Sequence, residues 1–308
     1  MHVLILGAGA LGSLVGARLA GTDADVTLLS TNRPHIKAIQ QEGLAIEELD
    51  GSLSIHKLTA CDDPKSITRK ADLVFVLVKS YGTMDAVAGV RECCHGESIF
   101  ITLQNGVGNW QRIAEVVGVE SVLVGSTAQG STLLAPGRIR HGGNGATYLG
   151  EPQGAPSPRV NTVVELFRKA GLEAHASDRM EQLIWEKLHI NVGINAITAL
   201  TGIHNGVIAQ LGVARELSKA AVLEAMEVAR RKGFAIPDDM ADRVLAVARA
   251  TAVNRSSMGQ DVDRRKRTEI DAINGAIVQY GEELGVATPV NRTMARLVKI
   301  LEAGFQQG

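Results

Sequence analysis

The chain has 308 residues, 45% of them hydrophobic and 21% charged, which is enough to bury the core of one large domain or two ordinary ones. Its 32 lysines and arginines nearly balance 33 aspartates and glutamates, so the formal net charge of −1 gives no electrostatic footprint for nucleic acid or an anionic membrane. Only 3% of residues are aromatic, which argues against a base-stacking surface. No apolar run approaches the roughly eighteen residues of a membrane helix. We therefore expect neither a nucleic acid nor a membrane as partner.

The cysteines and the first residues of the chain bear on its compartment. Cys61, Cys93 and Cys94 form neither an even disulfide framework nor a CxxC pair, and they are typical of thiols in a reducing compartment. Residues 3–17 are as apolar as a signal-peptide core, but no lysine or arginine precedes them and glycines interrupt them. We therefore expect a cytoplasmic protein, and we expect no metal site.

Short apolar segments alternate with helical ones in the first half of the chain. Residues 44–59 alternate around Asp50-Gly51, which predicts a β-hairpin. Strands that alternate with helices indicate a parallel sheet covered by helices on both sides. The other predicted elements are strands at 2–6, 25–29, 73–78, 99–103, 122–124 and 172–176 and helices at 10–20 and 159–170.

After residue 177 the pattern has a helical period and no convincing strand. Glycine follows the end of several helical segments, as it commonly does at helix ends. The predicted helices are 178–200, 206–232, 238–252, 262–284 and 289–302. We therefore predict an α/β protein with an N-terminal parallel-sheet domain over residues 1–177 and an all-helical C-terminal domain over residues 178–308.

A glycine-rich turn directly follows the first predicted strand and opens the first helix. It has the pattern GxGxxG and consists of Gly7, Ala8, Gly9, Ala10, Leu11 and Gly12. A tight turn, a close approach of backbone to pyrophosphate and close helix–strand packing each need a residue without a side chain. The helix N-terminus adds N–H donors for phosphate. In this position the motif predicts dinucleotide binding by a Rossmann-type domain, against a merely structural turn.

The end of the second strand bears on which dinucleotide is bound. An NAD site usually has Asp or Glu there, but this strand ends in Ser30-Thr31-Asn32-Arg33, and Asp23 and Asp25 lie at its other end. Hydroxyls, an amide and an arginine suit a ribose 2′-phosphate, which favours NADP (NADPH). The alternative is that Arg33 is a solvated loop residue.

Two further strands deliver polar residues to the same predicted edge. Lys79 follows Val78, and Asn105 comes shortly after Leu103. Because the carboxyl ends of parallel strands face one side of a sheet, we expect Lys79 to reach cofactor phosphate and Asn105 to lie near the nicotinamide.

The segment 184–195 is apolar nearly all round, so its helix should be buried, yet Lys187, Asn191 and Asn195 share one stripe. Burying these groups without partners costs several kcal/mol, so the row suggests a polar cavity, the alternative being an internal network without a ligand. Desolvation lowers the basicity of a buried lysine, which can then protonate a carbonyl oxygen as hydride reaches the carbon. Glu269 is a natural counter-charge.

The segment 254–257 precedes the helix predicted to carry Glu269. Its four residues are candidates to cap that helix or to bind a substrate carboxylate: Asn254, Arg255, Ser256 and Ser257. Ser257 as a plain N-cap is the alternative to a substrate contact. The basic run 264–267 falls inside that predicted helix and is interpreted as a solvated face of it.

Together these residues resemble the ketopantoate reductase (2-dehydropantoate 2-reductase) family over essentially the whole chain. The matching blocks are 7–12, 78–79, 103–106, Lys187 with Asn191 and Asn195, 201–206, and 254–261 continuing to 268–275. The resemblance implies NADPH-dependent reduction of 2-dehydropantoate to (R)-pantoate, in pantothenate and coenzyme A biosynthesis. It implies Lys187 as proton donor, Lys79 and Glu269 on the cofactor side, and Asn105 in contact with cofactor and substrate. The residues that would hold the 2-oxo acid are Asn191, Asn195, Asn205, Asn254 and Ser257.

One departure from the family pattern concerns the cofactor. The family commonly has arginine directly after the second strand, where this chain has Thr31, and Arg33 follows two positions later. Either Arg33 serves the 2′-phosphate from a shifted loop, or the preference for NADP is weaker than usual.

Other functions remain open on this scaffold. They are a reductase of a different 2-oxo acid, a β-hydroxyacid dehydrogenase, and a non-catalytic NADP-sensing protein. The sequence leaves the oligomeric state open, a homodimer included.

Overall fold

The computed structural model describes residues 1–306. It divides into two units: the first comprises residues 1–104 and 108–181, and the second comprises residues 105–107 and the chain from residue 182. The second unit therefore takes three residues from a loop of the first half of the chain.

Unit 1 contains two β-sheets. The strands are β1 (His2–Leu6), β2 (Asp25–Leu29), β3 (Leu44–Glu47), β4 (Leu53–His56), β5 (Thr59–Cys61), β6 (Ala71–Val76), β7 (Cys94–Thr102), β8 (Val122–Thr127), β9 (Gly130–Ala135), β10 (Arg138–Gly143), β11 (Thr147–Gly150) and β12 (Ala174–Ala176). The main sheet has eight strands in the order β12-β11-β8-β7-β6-β1-β2-β5, and the second has four in the order β4-β3-β10-β9.

The main sheet is parallel from β5 to β8, as the alternation of strands and helices predicts. Its central strands are short apolar runs: all of β1 and the last four residues of β6 are buried, because helices cover both faces. β11 runs antiparallel to β8, and β12 pairs with it in parallel, so this edge is reversed. The carboxyl ends of β1, β2, β6 and β7 therefore share one edge.

The α-helices lie in both units. Unit 1 has α1 (Ala10–Ala20), α2 (Arg33–Glu42), α3 (Thr83–Gly89), α4 (Asn109–Val117) and α5 (Pro158–Lys169). The helix α6 (Met180–Thr201) leads into unit 2. The other helices of unit 2 are α7 (Asn205–Gln210), α8 (Gly212–Arg231), α9 (Met240–Ala250), α10 (Ser257–Asp263), α11 (Asn274–Leu284) and α12 (Pro289–Ala303). Each unit has its own hydrophobic core, centred on the main sheet in unit 1 and on α6, α8 and α11 in unit 2. The α/β fold class is confirmed. No helix within residues 1–306 combines the length and apolar character needed to cross a bilayer.

Two predicted helices of unit 2 are interrupted. The helix predicted over 206–232 is α7 and α8, because Leu211 between them adopts an extended backbone. The helix predicted over 262–284 is wrong: α10 ends at Asp263 and α11 begins at Asn274. The basic run 264–267 is therefore an exposed loop and no helix face.

The end of α10 has a specific cause. Arg265 has a φ of 53°, its N–H donates to the Val262 carbonyl at 2.9 Å, and the Lys266 N–H donates to the Asp261 carbonyl at 2.9 Å. These two bonds form a Schellman motif, whose left-handed position glycine usually occupies. Because arginine occupies this position, the end of α10 cannot be recognised from a glycine in the sequence.

Candidate functional site

The glycine turn is held to the neighbouring strands by its backbone. The N–H groups of Gly7 and Ala8 both donate to the Leu29 carbonyl at the end of β2, at 2.9 and 3.2 Å. A Cβ on Gly7, whose φ is 106°, would lie 2.5 Å from the Val78 nitrogen, and one on Gly12 would lie 2.1 Å from the Gly7 carbonyl oxygen. Both glycines are therefore required by packing within the protein.

Gly9 differs from the other two glycines of the motif. It is exposed at the N-cap of α1, and a Cβ on it would meet no atom within 4 Å. The fold itself does not need glycine at this position. The open space above this backbone, at a helix N-terminus with unpaired N–H groups, fits a pyrophosphate.

The residues after β2 lie at a surface. Arg33 is the first residue of α2, its side chain is 84% exposed, and its Nε lies 3.0 Å from an Asp62 carboxylate oxygen. Asp62 directly follows β5, the strand that pairs with β2. Asp62 was not among the residues predicted from the sequence, because the pairing of β5 with β2 is not visible in the local pattern.

A buried histidine connects α1, α2 and the turn between β9 and β10. His35 Nδ1 accepts the Gly137 N–H at 2.9 Å, and its Nε2 lies 2.9 Å from the Ser13 hydroxyl. Since Nδ1 accepts a hydrogen bond, Nε2 carries the proton and the ring is neutral. Burial lowers the pKa of His35. The start of α2 is thereby fixed to α1 through a neutral imidazole.

Gln104 organises the carboxyl edge at the ends of β6 and β7. Its amide nitrogen donates to the Val78 carbonyl at 2.7 Å and to the Thr83 hydroxyl at 2.8 Å, and its amide oxygen accepts from the Thr102 hydroxyl at 3.0 Å. Lys79 follows Val78 directly and is half-buried. Gln104 thus holds the segment that carries Lys79 against the end of β7.

The segment 105–107 packs within unit 2 against the 3-10 turn Ile270–Ala272. The Val107 N–H donates to the Ala272 carbonyl at 3.3 Å, and a Cβ on Gly106 would lie 2.4 Å from that carbonyl oxygen. Glycine at 106 is therefore required by this close approach. The contact brings the segment of Asn105 to the turn that directly follows Glu269.

The predicted polar row lies along α6. Lys187 and Asn191 are half-buried, Asn195 is buried, and the Nδ2 of Asn191 is shielded from solvent with no hydrogen-bond partner within residues 1–306. The Asn195 Nδ2 donates to the Ser257 hydroxyl at 3.4 Å. An unpaired buried amide donor on such a row fits a ligand that supplies the missing acceptor.

Burial lowers the pKa of Lys187 to about 8, and the negative charge of Glu269 opposes this shift. Glu269 is itself buried, and it lies on the connection between α10 and α11, where the sequence predicted a helix. An ammonium group with this pKa exchanges its proton near neutral pH, which suits general acid–base chemistry.

The N-cap of α10 is Ser256. Its hydroxyl accepts the Gly259 N–H at 3.0 Å, so the alternative interpretation of Ser257 as the N-cap is wrong. Ser257 begins α10 and its side chain is exposed except for the contact with Asn195.

Asn205 and Asn254 are connected through the backbone. The Asn205 N–H donates to the Asn254 carbonyl at 3.0 Å. The Asn205 Nδ2 donates to the Thr251 hydroxyl at 3.0 Å, while its Oδ1 is buried without a partner within residues 1–306. Asn254 is exposed. In the part of the chain that the structure describes, no group of three or more His, Cys, Asp or Glu side chains is arranged to hold a metal ion.

A glycine turn on a parallel sheet, together with a desolvated lysine and a row of amides in a helical unit, defines the class: a two-unit oxidoreductase. Residues 3–154 match the family described as ketopantoate reductase PanE/ApbA, and residues 179–302 match the C-terminal part of that family. The chain belongs to the ketopantoate reductase family, which confirms the resemblance inferred from its sequence.

The similarity to individual members extends over the whole chain. A 2-dehydropantoate 2-reductase of Halobacterium salinarum is 38% identical, over 98% of this chain and 99% of that protein. A 2-dehydropantoate 2-reductase of Archaeoglobus fulgidus is 38% identical over 99% of each chain. The crystal structure of a PanE/ApbA family ketopantoate reductase from Ralstonia eutropha is 31% identical, with a TM-score of 0.91 over 99% of this chain and 100% of the other.

Proposed function

We propose that the protein reduces 2-dehydropantoate to (R)-pantoate with a nicotinamide cofactor, as part of pantothenate biosynthesis. The relatives of 38% identity that match nearly the whole chain are 2-dehydropantoate 2-reductases. The observation that carries the chemistry is the environment of Lys187. Burial lowers its pKa to about 8, and it lies at the start of a row of amides. This is the group that a ketone reduction needs, because the developing alkoxide must receive a proton.

The nicotinamide supplies the hydride to the keto carbon when it is bound. Lys187 protonates the keto oxygen, and the charge of the buried Glu269 keeps Lys187 in its ammonium form before the reaction. The amide row of α6, with Asn205, Asn254 and Ser257, provides neutral donors for the oxygens of the 2-oxo acid. The buried Nδ2 of Asn191, which lacks a protein partner within residues 1–306, supports this assignment.

The cofactor is NADPH in this proposal. The turn 7–12 would hold the pyrophosphate, Lys79 would contribute positive charge at the same sheet edge, and Asn105 would contact the nicotinamide. Arg33 would bind the 2′-phosphate, in competition with its contact to Asp62. This competition makes the preference for NADPH over NADH smaller than an unpaired arginine would give.

The test is the rate of NADPH oxidation, followed by absorbance, with 2-dehydropantoate and a panel of other 2-oxo acids. Selective turnover of 2-dehydropantoate would support the proposal. Selective turnover of another 2-oxo acid would identify that compound as the substrate instead. In a parallel assay with NADP+ as the hydride acceptor, oxidation of a 3-hydroxy acid with formation of NADPH would indicate a β-hydroxyacid dehydrogenase. Cofactor binding without turnover of any compound would indicate a sensing protein.

A further inference from the structure

Arg255 lies between two residues with separate tasks, Asn254 of the proposed substrate site and the N-cap Ser256. Only 15% of its side chain is exposed. Its Nε and Nη2 donate to the two carboxylate oxygens of Asp263 at 2.9 and 2.8 Å. Its Nη1 donates to the carbonyl oxygens of Thr198 and Ile203. The planar guanidinium therefore donates hydrogen bonds to four acceptor oxygens, which belong to three segments of unit 2.

The acceptors of Arg255 lie on α6, which carries the amide row, on the connection between α6 and α7, and on α10. Thr198 lies in the last turn of α6, and its carbonyl oxygen accepts the Gly202 N–H at 3.0 Å as well as the Arg255 Nη1. Asp263 ends α10. Beside this contact the Thr198 hydroxyl lies 2.6 Å from the Ser256 hydroxyl. The connection fixes the start of α10 against α6, at the place where Asn195 contacts Ser257.

We propose that Arg255 is a positioning residue for the substrate, holding Asn254 and Ser257 in register with Asn191 and Asn195 on α6. The inference rests on the proposed function. Lysine is a poor replacement for this role, because it offers a point charge and cannot bind Asp263 and two carbonyls in one plane.

Gly259 provides an independent way to move the same guanidinium. A Cβ on Gly259 would lie 2.8 Å from the Arg255 Cζ and 2.8 Å from its Nη1. Alanine has a higher helix propensity than glycine, so Gly259→Ala favours α10 as a helix while it displaces Arg255. A purely structural role for Arg255 gives no reason for this substitution to affect the substrate.

The experiment compares Arg255→Ala, Arg255→Lys and Gly259→Ala with the unaltered protein. The control is Arg243→Ala, which removes an exposed ion pair between Arg243 of α9 and Asp239, the residue just before that helix, in the same unit. KM for 2-dehydropantoate and kcat are measured at saturating NADPH, the Kd of NADPH by fluorescence, and the fold by circular dichroism and thermal unfolding.

We expect Arg255→Ala and Gly259→Ala to raise KM for 2-dehydropantoate by about tenfold, the effect of losing one or two well-placed hydrogen bonds. Arg255→Lys should fall between Arg255→Ala and the unaltered protein. In all three variants the Kd of NADPH should change by less than about twofold, and Arg243→Ala should change neither constant.

Two results would overturn the inference. One is a KM within about twofold of the unaltered protein in the folded variants, and the other is a Kd of NADPH that rises as much as KM, which indicates general loosening. If Arg255→Ala does not fold, Gly259→Ala decides between these outcomes. Failure of the proposed function is recognised separately, because the unaltered protein would then not turn over 2-dehydropantoate.

Discussion

At the scale of single residues, Lys187 is the group whose electrostatics bear most directly on the reaction. Desolvation acts against its charge and Glu269 acts for it, and the first effect is the larger because the pKa falls to about 8 from 10.5. The ammonium form is therefore the major form at neutral pH and remains a stronger acid than an exposed lysine. This balance suits a residue that must donate its proton and then regain it.

This balance sets an expected pH dependence. The proton donor must be protonated for ketone reduction, so kcat/KM should fall as pH rises through about 8. Lys187→Ala should lower kcat by about a hundredfold and remove this limb of the profile, with the Kd of NADPH nearly unchanged. The measurement is the initial rate of NADPH oxidation across pH. Near-normal turnover in Lys187→Ala would exclude Lys187 as proton donor.

His35 links protonation to stability. Burial lowers the pKa of His35 in the folded protein, so the unfolded chain takes up more protons than the folded protein below the ordinary histidine pKa of 6.5. The stability that His35 provides is therefore present above about pH 6.5 and is lost as pH falls through the lowered pKa. Protonation would also place an N–H against the Gly137 N–H.

We expect His35→Gln to reduce the slope of the unfolding free energy between about pH 7 and about pH 5, measured by urea denaturation at several pH values. Ser13→Ala is the matched control, since it removes the hydroxyl partner and leaves the imidazole in place. An unchanged slope in His35→Gln would mean that the buried ring does not contribute to acid sensitivity.

At the scale of elements, the glycine turn separates the needs of the fold from those of a ligand. Gly12→Ala should lower the free energy of unfolding by about 2 kcal/mol, because its Cβ would collide with the Gly7 carbonyl. Gly9→Ala should cost at most about 1 kcal/mol, the effect of a poorer N-cap, yet raise the Kd of NADPH by about tenfold. Thermal unfolding and fluorescence titration measure the two quantities.

Gly96→Ala in β7 controls for adding a methyl group in open space in the same unit, and it should change neither quantity. An unchanged Kd of NADPH in Gly9→Ala would show that no phosphate approaches the backbone at Gly9. The pair Gly9 and Gly12 thus tests the motif itself, since both glycines belong to it and only one is required by packing.

Elements with a strong local pattern were predictable from the sequence, and elements defined by distant partners were not. The strands β1 and β2 and the helix α12 follow from continuous apolar runs or clear helical periodicity. The strands β9 to β11 are rich in glycine and polar residues, and they are held by pairing with neighbouring strands, β9 with β10 and β11 with β8. Arg265 in a left-handed conformation and Asp62 beside Arg33 depend on contacts that no local pattern contains.

In the candidate site, too, the residues set by local spacing were predictable from the sequence, and those set by distant contacts were not. The spacing of Lys187, Asn191 and Asn195 places them on one face of any helix, and the strand–turn–helix position of 7–12 restricts its conformation. Sequence alone did not separate Ser256 from Ser257 as the N-cap, because the two hydroxyls are adjacent and the helix start is uncertain by a residue. Arg255 lies within the matching block 254–261, but its positioning role follows only from its four acceptors, which no local pattern contains.

At the scale of the whole molecule, the chain forms two hydrophobic cores that share no residue. Leu28 is fully buried in the core of unit 1 and Ile277 in that of unit 2. Val107 belongs to the helical core although it follows β7 in the chain, so a three-residue loop is part of unit 2. Two separate cores favour two cooperative steps in unfolding.

We therefore expect calorimetry to resolve two transitions. Leu28→Ala and Ile277→Ala should each lower a different one, by about 2–5 kcal/mol of unfolding free energy. NADPH at about a hundred times its Kd should add about 2.7 kcal/mol to the stability of one of the two transitions. This should be the transition that Leu28→Ala lowers, because unit 1 carries the glycine turn and Arg33. A single transition that both substitutions lower equally would show that the two cores unfold together, and the stabilisation by NADPH would then extend to the whole chain.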